Sequence, residues 1–139
     1  MVEERFARRL VKAVDTNVVL RLLIADDTAQ TEIAERALAD PVLVTLTVLL
    51  ETAWVMRSRY SFSRAAIASV LLRFIDRPVV TVEEPMLVRW AIDRFHLGGD
   101  FADLIHLVSA RSATSFATFD RAIARAAGPD SPIPIETLA

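Results

Sequence analysis

A chain of 139 residues that is 53% hydrophobic, with three glycines, is one domain able to bury a sizeable core, which excludes a disordered segment. The absence of cysteine excludes disulfides, thiolate metal sites and cysteine nucleophiles, and suits a reducing cytoplasm. The formal charge of −2 offers no general basic field to nucleic acid, and the longest charge-free run, Pro41 to Leu50, is about half of the ~20 apolar residues that a membrane helix needs.

Residues 1–9 carry early acids and no apolar core after their basic residues, so they read as a loose charged leader and not as a secretory signal. Leu10 to Val14 is expected to be a first buried strand, ending in Asp15, with a helix from Thr16 to Ala25 directly after it. Asp27 with Gln30 resembles a capping box for a second helix, whose apolar face is Ile33, Ala34, Ala37 and Leu38. Asp40-Pro41 ends that helix, and Val42 to Leu46 is a β-branched, continuously apolar second strand. Thr47 is placed to cap a helix running to about Arg59, with Glu51 roughly one turn in. Ser63 heads the next helix, striped by Ile67, Val70, Leu71, Phe74 and Ile75.

Pro78 stops that helix before a short third strand, Val79 to Val82. Glu84-Pro85 begins a helix to about Phe95, with proline at its first position. Gly98-Gly99 breaks the pattern, Asp100 opens a helix from Phe101 to Ser112, and Ser115 to Thr118 is a fourth strand. Asp120 heads a short helix to Ala127, Gly128-Pro129 ends it, and Ile133 to Glu136 is a fifth strand. Strands alternating with helices over short links make one α/β domain with a mainly parallel sheet, in which helix pairs separate strands one, two and three.

The acids fall in a pattern. Asp15, Glu51, Asp100, Asp103 and Asp120 all lie just after a strand or near a helix start, where an open α/β sheet binds its ligands. Carboxylates gathered from distant regions repel one another unless a cation sits among them. Oxygen ligands without cysteine or a histidine pair favour a hard ion, Mg²⁺ or Mn²⁺, over zinc. Ions held this way serve phosphoryl chemistry by activating water and bridging a phosphate. Of the 16 basic residues only Lys12 is lysine; arginines suit bidentate phosphate contacts, although a GC-rich coding sequence is the plainer account of the bias.

The runs Val14-Asp15-Thr16-Asn17-Val18, Leu50-Glu51-Thr52, Asp100-Phe101-Ala102-Asp103-Leu104 and Thr118-Phe119-Asp120-Arg121 resemble the acidic motifs of PIN-domain nucleases, and in particular of VapC-type toxins of toxin–antitoxin modules. The similarity covers residues 10–136 in order and spacing. It implies a three-layer α/β/α sandwich of five parallel strands with strand one central, Mg²⁺-dependent RNA cleavage, a homodimer, and inhibition by a cognate antitoxin protein. By position it implies that Asp15, Glu51, Asp103 and Asp120 bind the metal and that Asn17 orients them. His106, the extra acid Asp100 and the long leader depart from the pattern, and none removes a metal-site acid.

Each residue also has a plainer role. Asp15, Asp100 and Asp120 can cap helices, and for Asp100 the cap is the stronger reading. Asp103 can serve the dipole of its helix, Glu51 can be a solvated helix acid, and Asn17 can be a cap. His106 is expected to be a satisfied, semi-buried histidine, and Trp54, Trp90 and Phe74 to be core or interface residues. Arg21, Arg57, Arg121 and Arg125 are candidates to grip an RNA backbone. Two other functions compete with the nuclease: a catalytically inactive PIN-like module that docks RNA or protein, and an aspartyl-phosphate phosphatase or receiver domain with Asp15 as nucleophile. The second requires a lysine from a separate strand end, whereas Lys12 lies on the strand that carries Asp15.

Overall fold

The computed structural model describes residues 11–139; the expected leader and Leu10 lie outside them. Strand β1 (Lys12–Ala13) leads into helices α1 (Thr16–Ile24) and α2 (Thr28–Ala37), and β2 (Val42–Val44) into α3 (Leu46–Ser58) and α4 (Arg64–Ile75). After β3 (Val80–Val82) come α5 (Pro85–His96) and α6 (Phe101–Ser109), then β4 (Phe116–Thr118), α7 (Arg121–Ala127), a 3₁₀ turn at Gly128–Asp130, and β5 (Ile135–Thr137). The helix pairs between strands one, two and three are present as expected, and a further pair separates β3 from β4.

Among the described residues all strand pairings are parallel, in hydrogen-bonded groups ordered β1-β2-β3 and β4-β5. The architecture is a three-layer α/β/α sandwich around this mainly parallel sheet. Among the described residues β1 ends its group and is not bonded on both sides, as a central strand would be. Lys12 and Ala13 are exposed, so among the described residues of the expected buried first strand only Val14 is buried. Val42 and Val44 of β2 are fully covered, because β2 has a bonded strand on each side.

Several boundaries differ from expectation for local reasons. Thr45, and not Thr47, caps α3: its hydroxyl accepts from the Val48 N–H at 3.2 Å, which shortens β2 and sets Glu51 a turn and a half into the helix. Helix α6 stops at Ser109, three residues before its expected end, where Arg111 turns back to donate to the Val108 carbonyl at 3.0 Å. Strand β5 begins at Ile135, while Ile133 is buried ahead of it. Ile33 is 58% exposed although Ala34 and Leu38 beside it are buried, so the apolar face of α2 is narrower than its sequence indicates.

One large core cluster contains Leu49, Met56, Ile67, Leu71, Phe74, Ile92 and Leu104. A smaller one, Leu107, Ile123, Ala127 and Ile133, fastens α7 to α6. Phe74 is a core residue as expected, and half-buried Trp90 packs against both clusters. Full burial of one such large side chain is worth roughly 1.5–3 kcal/mol.

Candidate active site

Local hydrogen bonding places the acids first. Asp15 follows β1 and caps α1, its Oδ1 accepting from the Val18 N–H at 3.3 Å. Asp100 caps α6 through the Asp103 N–H at 3.0 Å, and Asp120, just past β4, caps α7 through the Ala122 N–H at 2.8 Å. The Asp120 N–H in turn donates to Thr118 Oγ1 at 3.0 Å. Each cap uses a single carboxylate oxygen and orients the acid at the positive end of a helix. Asp103 lies half-buried in the first turn of α6, and Glu51 is exposed in the middle of α3.

Tertiary structure then joins two of these elements. The starts of α6 and α7 come together, and the Asp103 carboxyl is held above its ordinary value, first by burial and then by the negative charges of Asp100 and Asp120. His106 acts in the opposite direction. It is exposed, and not semi-buried as expected. Asp15 and Glu51 are not among the groups acting on Asp103. A groove of about 380 Å³ is lined by Asp100, Asp103, Arg94, Ala122 and Arg125.

Two arginines that the sequence does not mark out hold this arrangement. Arg64, at the start of α4, donates through Nη1 to the carbonyls of Phe95 (2.9 Å) and Gly99 (2.6 Å), with its guanidinium 4.8 Å from the centre of the Phe95 ring. It thereby ties down the turn just before Asp100. Arg94 donates through Nε to the Ala126 carbonyl (2.7 Å) and through Nη2 to that of Arg125 (3.2 Å), linking α5 to the end of α7. Nothing short-range forecasts these contacts, because the partners lie 31 to 35 residues away.

The other candidates separate. Arg21 pairs with Asp26 at 3.1 Å, and with Asn17 it lines a groove between α1 and α2. The Asn17 side chain makes no hydrogen bond to any of the acids among the described residues. Arg57, Arg121 and Arg125 are exposed, and their side chains have no ion pair among the described residues. Trp54 is 62% exposed, which removes the core half of its reading as a core or interface residue.

Among the described residues, none of Asp15, Glu51, Asp100, Asp103 and Asp120 is ion-paired with an arginine or lysine. Oxygen donors without a countercharge fit a hard divalent cation in their chemistry. Among the described residues, no three acids or histidines come together as a group that could hold a metal ion. Donor chemistry and assembled geometry therefore differ.

The PIN-domain family model matches residues 12–129, most of the chain. The chain is a PIN domain. No curated protein and no solved structure matches it significantly. PIN domains are generally nucleases that bind nucleic acid, often with divalent metals. No helix among the described residues is long and apolar enough to cross a membrane.

Proposed function

We propose that this PIN domain is a Mg²⁺-dependent endoribonuclease and the toxin of a VapBC-like toxin–antitoxin pair. The observation that carries the nuclease reading is the crowding of Asp103 by Asp100 and Asp120 at the meeting of two helix starts, within a family whose members generally cut nucleic acid. The motif resemblance supports the toxin role and the RNA substrate. It also supports a homodimer and a cognate antitoxin protein that blocks the site.

In this reading Asp15, Glu51, Asp103 and Asp120 hold the ion, with Asp100 beside them. A bound Mg²⁺, or Mn²⁺ in its place, supplies Lewis acidity to water and phosphate. The chain's own residues bind and orient. The helix caps fix the carboxylates of Asp15 and Asp120, burial holds Asp103, and Arg121 and Arg125, exposed at α7 and without an ion pair among the described residues, are placed to meet a phosphodiester. Arg21 is a weaker candidate, since Asp26 already engages it. Among the described residues no three donors are grouped, and Glu51, exposed and without an ion pair there, is the acid with the freedom to join the others.

That same lack of a ready-made group favours the second reading, an inactive PIN-like module that only docks RNA or protein. One assay separates the two. Purified protein incubated with RNA is expected to cleave it in Mg²⁺ or Mn²⁺, poorly in Ca²⁺, and not in EDTA. Cleavage that persists in chelator rules out the metal mechanism; binding without cleavage in any metal establishes the docking module.

A further inference from the structure

Helix α3 carries Glu51, Trp54 and Arg57 at three-residue spacing, so the three lie along one face as acid, aromatic ring and cation. All three are exposed. Trp54 and Arg57 border a hollow of about 210 Å³ whose wall also includes Phe95, Phe101, Arg64 and Asp100. Asp100 lines both this hollow and the groove of Asp103, so the two spaces meet at the acidic site. The far wall is rigid, because Arg64 bonds the Phe95 and Gly99 carbonyls and lies over the Phe95 ring.

We propose that this hollow is a subsite for one unpaired nucleobase of the RNA, stacked on Trp54 with the adjoining phosphate on Arg57. The proposal rests on the nuclease reading and deepens it by naming the substrate as single-stranded at the position bound. An exposed indole beside a guanidinium that has no ion pair among the described residues is the pairing by which proteins hold single strands: the ring takes a base face and the cation takes the backbone. The hollow is smaller than the roughly 300–1,000 Å³ of ordinary ligand pockets, which suits a single planar group. A protein partner or a second copy is a poorer fit, because the other exposed residues of α3, Thr47, Glu51, Arg57 and Ser58, are all polar or charged, although Leu50, Ala53 and Ala102 add apolar surface to the wall of the hollow.

The test uses the full chain in EDTA, with binding of a short single-stranded RNA followed by anisotropy, and cleavage of the same RNA in Mg²⁺. W54A is expected to weaken binding between about 5-fold and 150-fold, and W54F to recover most of it. An abasic nucleotide walked along the RNA should cost wild type a similar factor at one position and cost W54A nothing there. R57Q should weaken all RNAs alike and flatten the salt dependence. If W54A does not fold, W54F, R57Q and the abasic walk on wild type still decide the matter.

Binding by W54A equal to wild type, or an abasic penalty that survives in W54A, overturns the subsite. So does a W54A protein that keeps its RNA affinity but changes oligomeric state, which would assign Trp54 to a second copy. Wild type that cuts RNA while none of the variants shifts binding leaves the nuclease standing without the subsite. Wild type that neither binds nor cuts RNA removes both.

Discussion

Asp15 and Asp103 are both acids near the start of a helix, yet their surroundings predict opposite behaviour on substitution. Asp15 serves α1 through one oxygen, and asparagine supplies the same acceptor. Asp15→Asn is therefore expected to melt within a degree or two of wild type in EDTA, while Asp15→Ala loses about 1 kcal/mol with its cap. Both should lose RNA cleavage by orders of magnitude. Near-normal cleavage by Asp15→Asn would show that the aspartate is a cap and nothing more. Asp103 has its pKa raised by burial and by two neighbouring negative charges, so its charged form destabilises the metal-free fold. Between the ordinary aspartate pKa and the raised one, the native state holds more protons than the unfolded state. Stability from this group is complete below the ordinary value and is lost as pH rises through the raised one. In EDTA, Asp103→Asn should melt above wild type at neutral pH, and the gap should close as the solution is acidified through that window. Melting curves across pH check this, and a gap that stays constant with pH argues against the crowding.

At the scale of elements, the arrangement of the acids depends on how α5, α6 and α7 are joined. Gly128 takes φ +68°, and a Cβ there would come within 2.8 Å of the Arg94 guanidinium. Gly128→Ala must displace the same arginine that bonds the Ala126 and Arg125 carbonyls. The expected cost is about 1–3 kcal/mol from the backbone conformation and the lost bonds together, visible as a lower Tm. Because α7 carries Asp120, the surviving folded protein should also cleave RNA more slowly. A stable, fully active Gly128→Ala would show that Arg94 does not position α7. Helix α1 offers the reverse case: Ala25 ends it at φ 50°, a left-handed conformation that suits glycine. Ala25→Gly should leave stability unchanged or raise it by up to about 1 kcal/mol, since relief of the left-handed strain outweighs the chain entropy that glycine adds.

In the whole molecule, two clusters share α6. Leu104 belongs to the larger and Leu107 to the smaller, and the smaller is what packs α7 against the rest. Leu107→Ala should cost about 2–5 kcal/mol. Hydrogen exchange in α7 should rise more than in α3, whose core contacts lie in the other cluster. Equal loosening of both helices would show that the clusters behave as one. The proposed homodimer belongs to the same scale. Light scattering at micromolar concentration is expected to report twice the mass of the chain, with RNA binding retained, because the acids and Trp54 must remain open. A monomer at that concentration counts against the dimer.

What the sequence determined by itself is what short-range physics controls. Asp15, Asp27, Ser63, Asp100 and Asp120 each bond an N–H two or three residues ahead, and all are legible as caps from residue type and position. The break at Gly98-Gly99, the proline that opens α5 and the alternation of apolar strands with helical stripes are likewise local, and together with the acidic motifs they carried the family. Where two local signals competed, the reading slipped: Thr45 and Thr47 are both good caps, and only the path of the chain out of β2 selects the first. Exposure was not legible. Helical spacing identifies a face but not what covers it, so Ile33 and His106 were placed too far inside, and Trp54 was left between core and interface. The field at Asp103 and the clamps made by Arg64 and Arg94 join residues far apart in the chain, and they exist only once α4, α5, α6 and α7 have packed. Electrostatic and hydrogen-bond energies depend on distance in space, and for these groups the tertiary structure alone sets that distance.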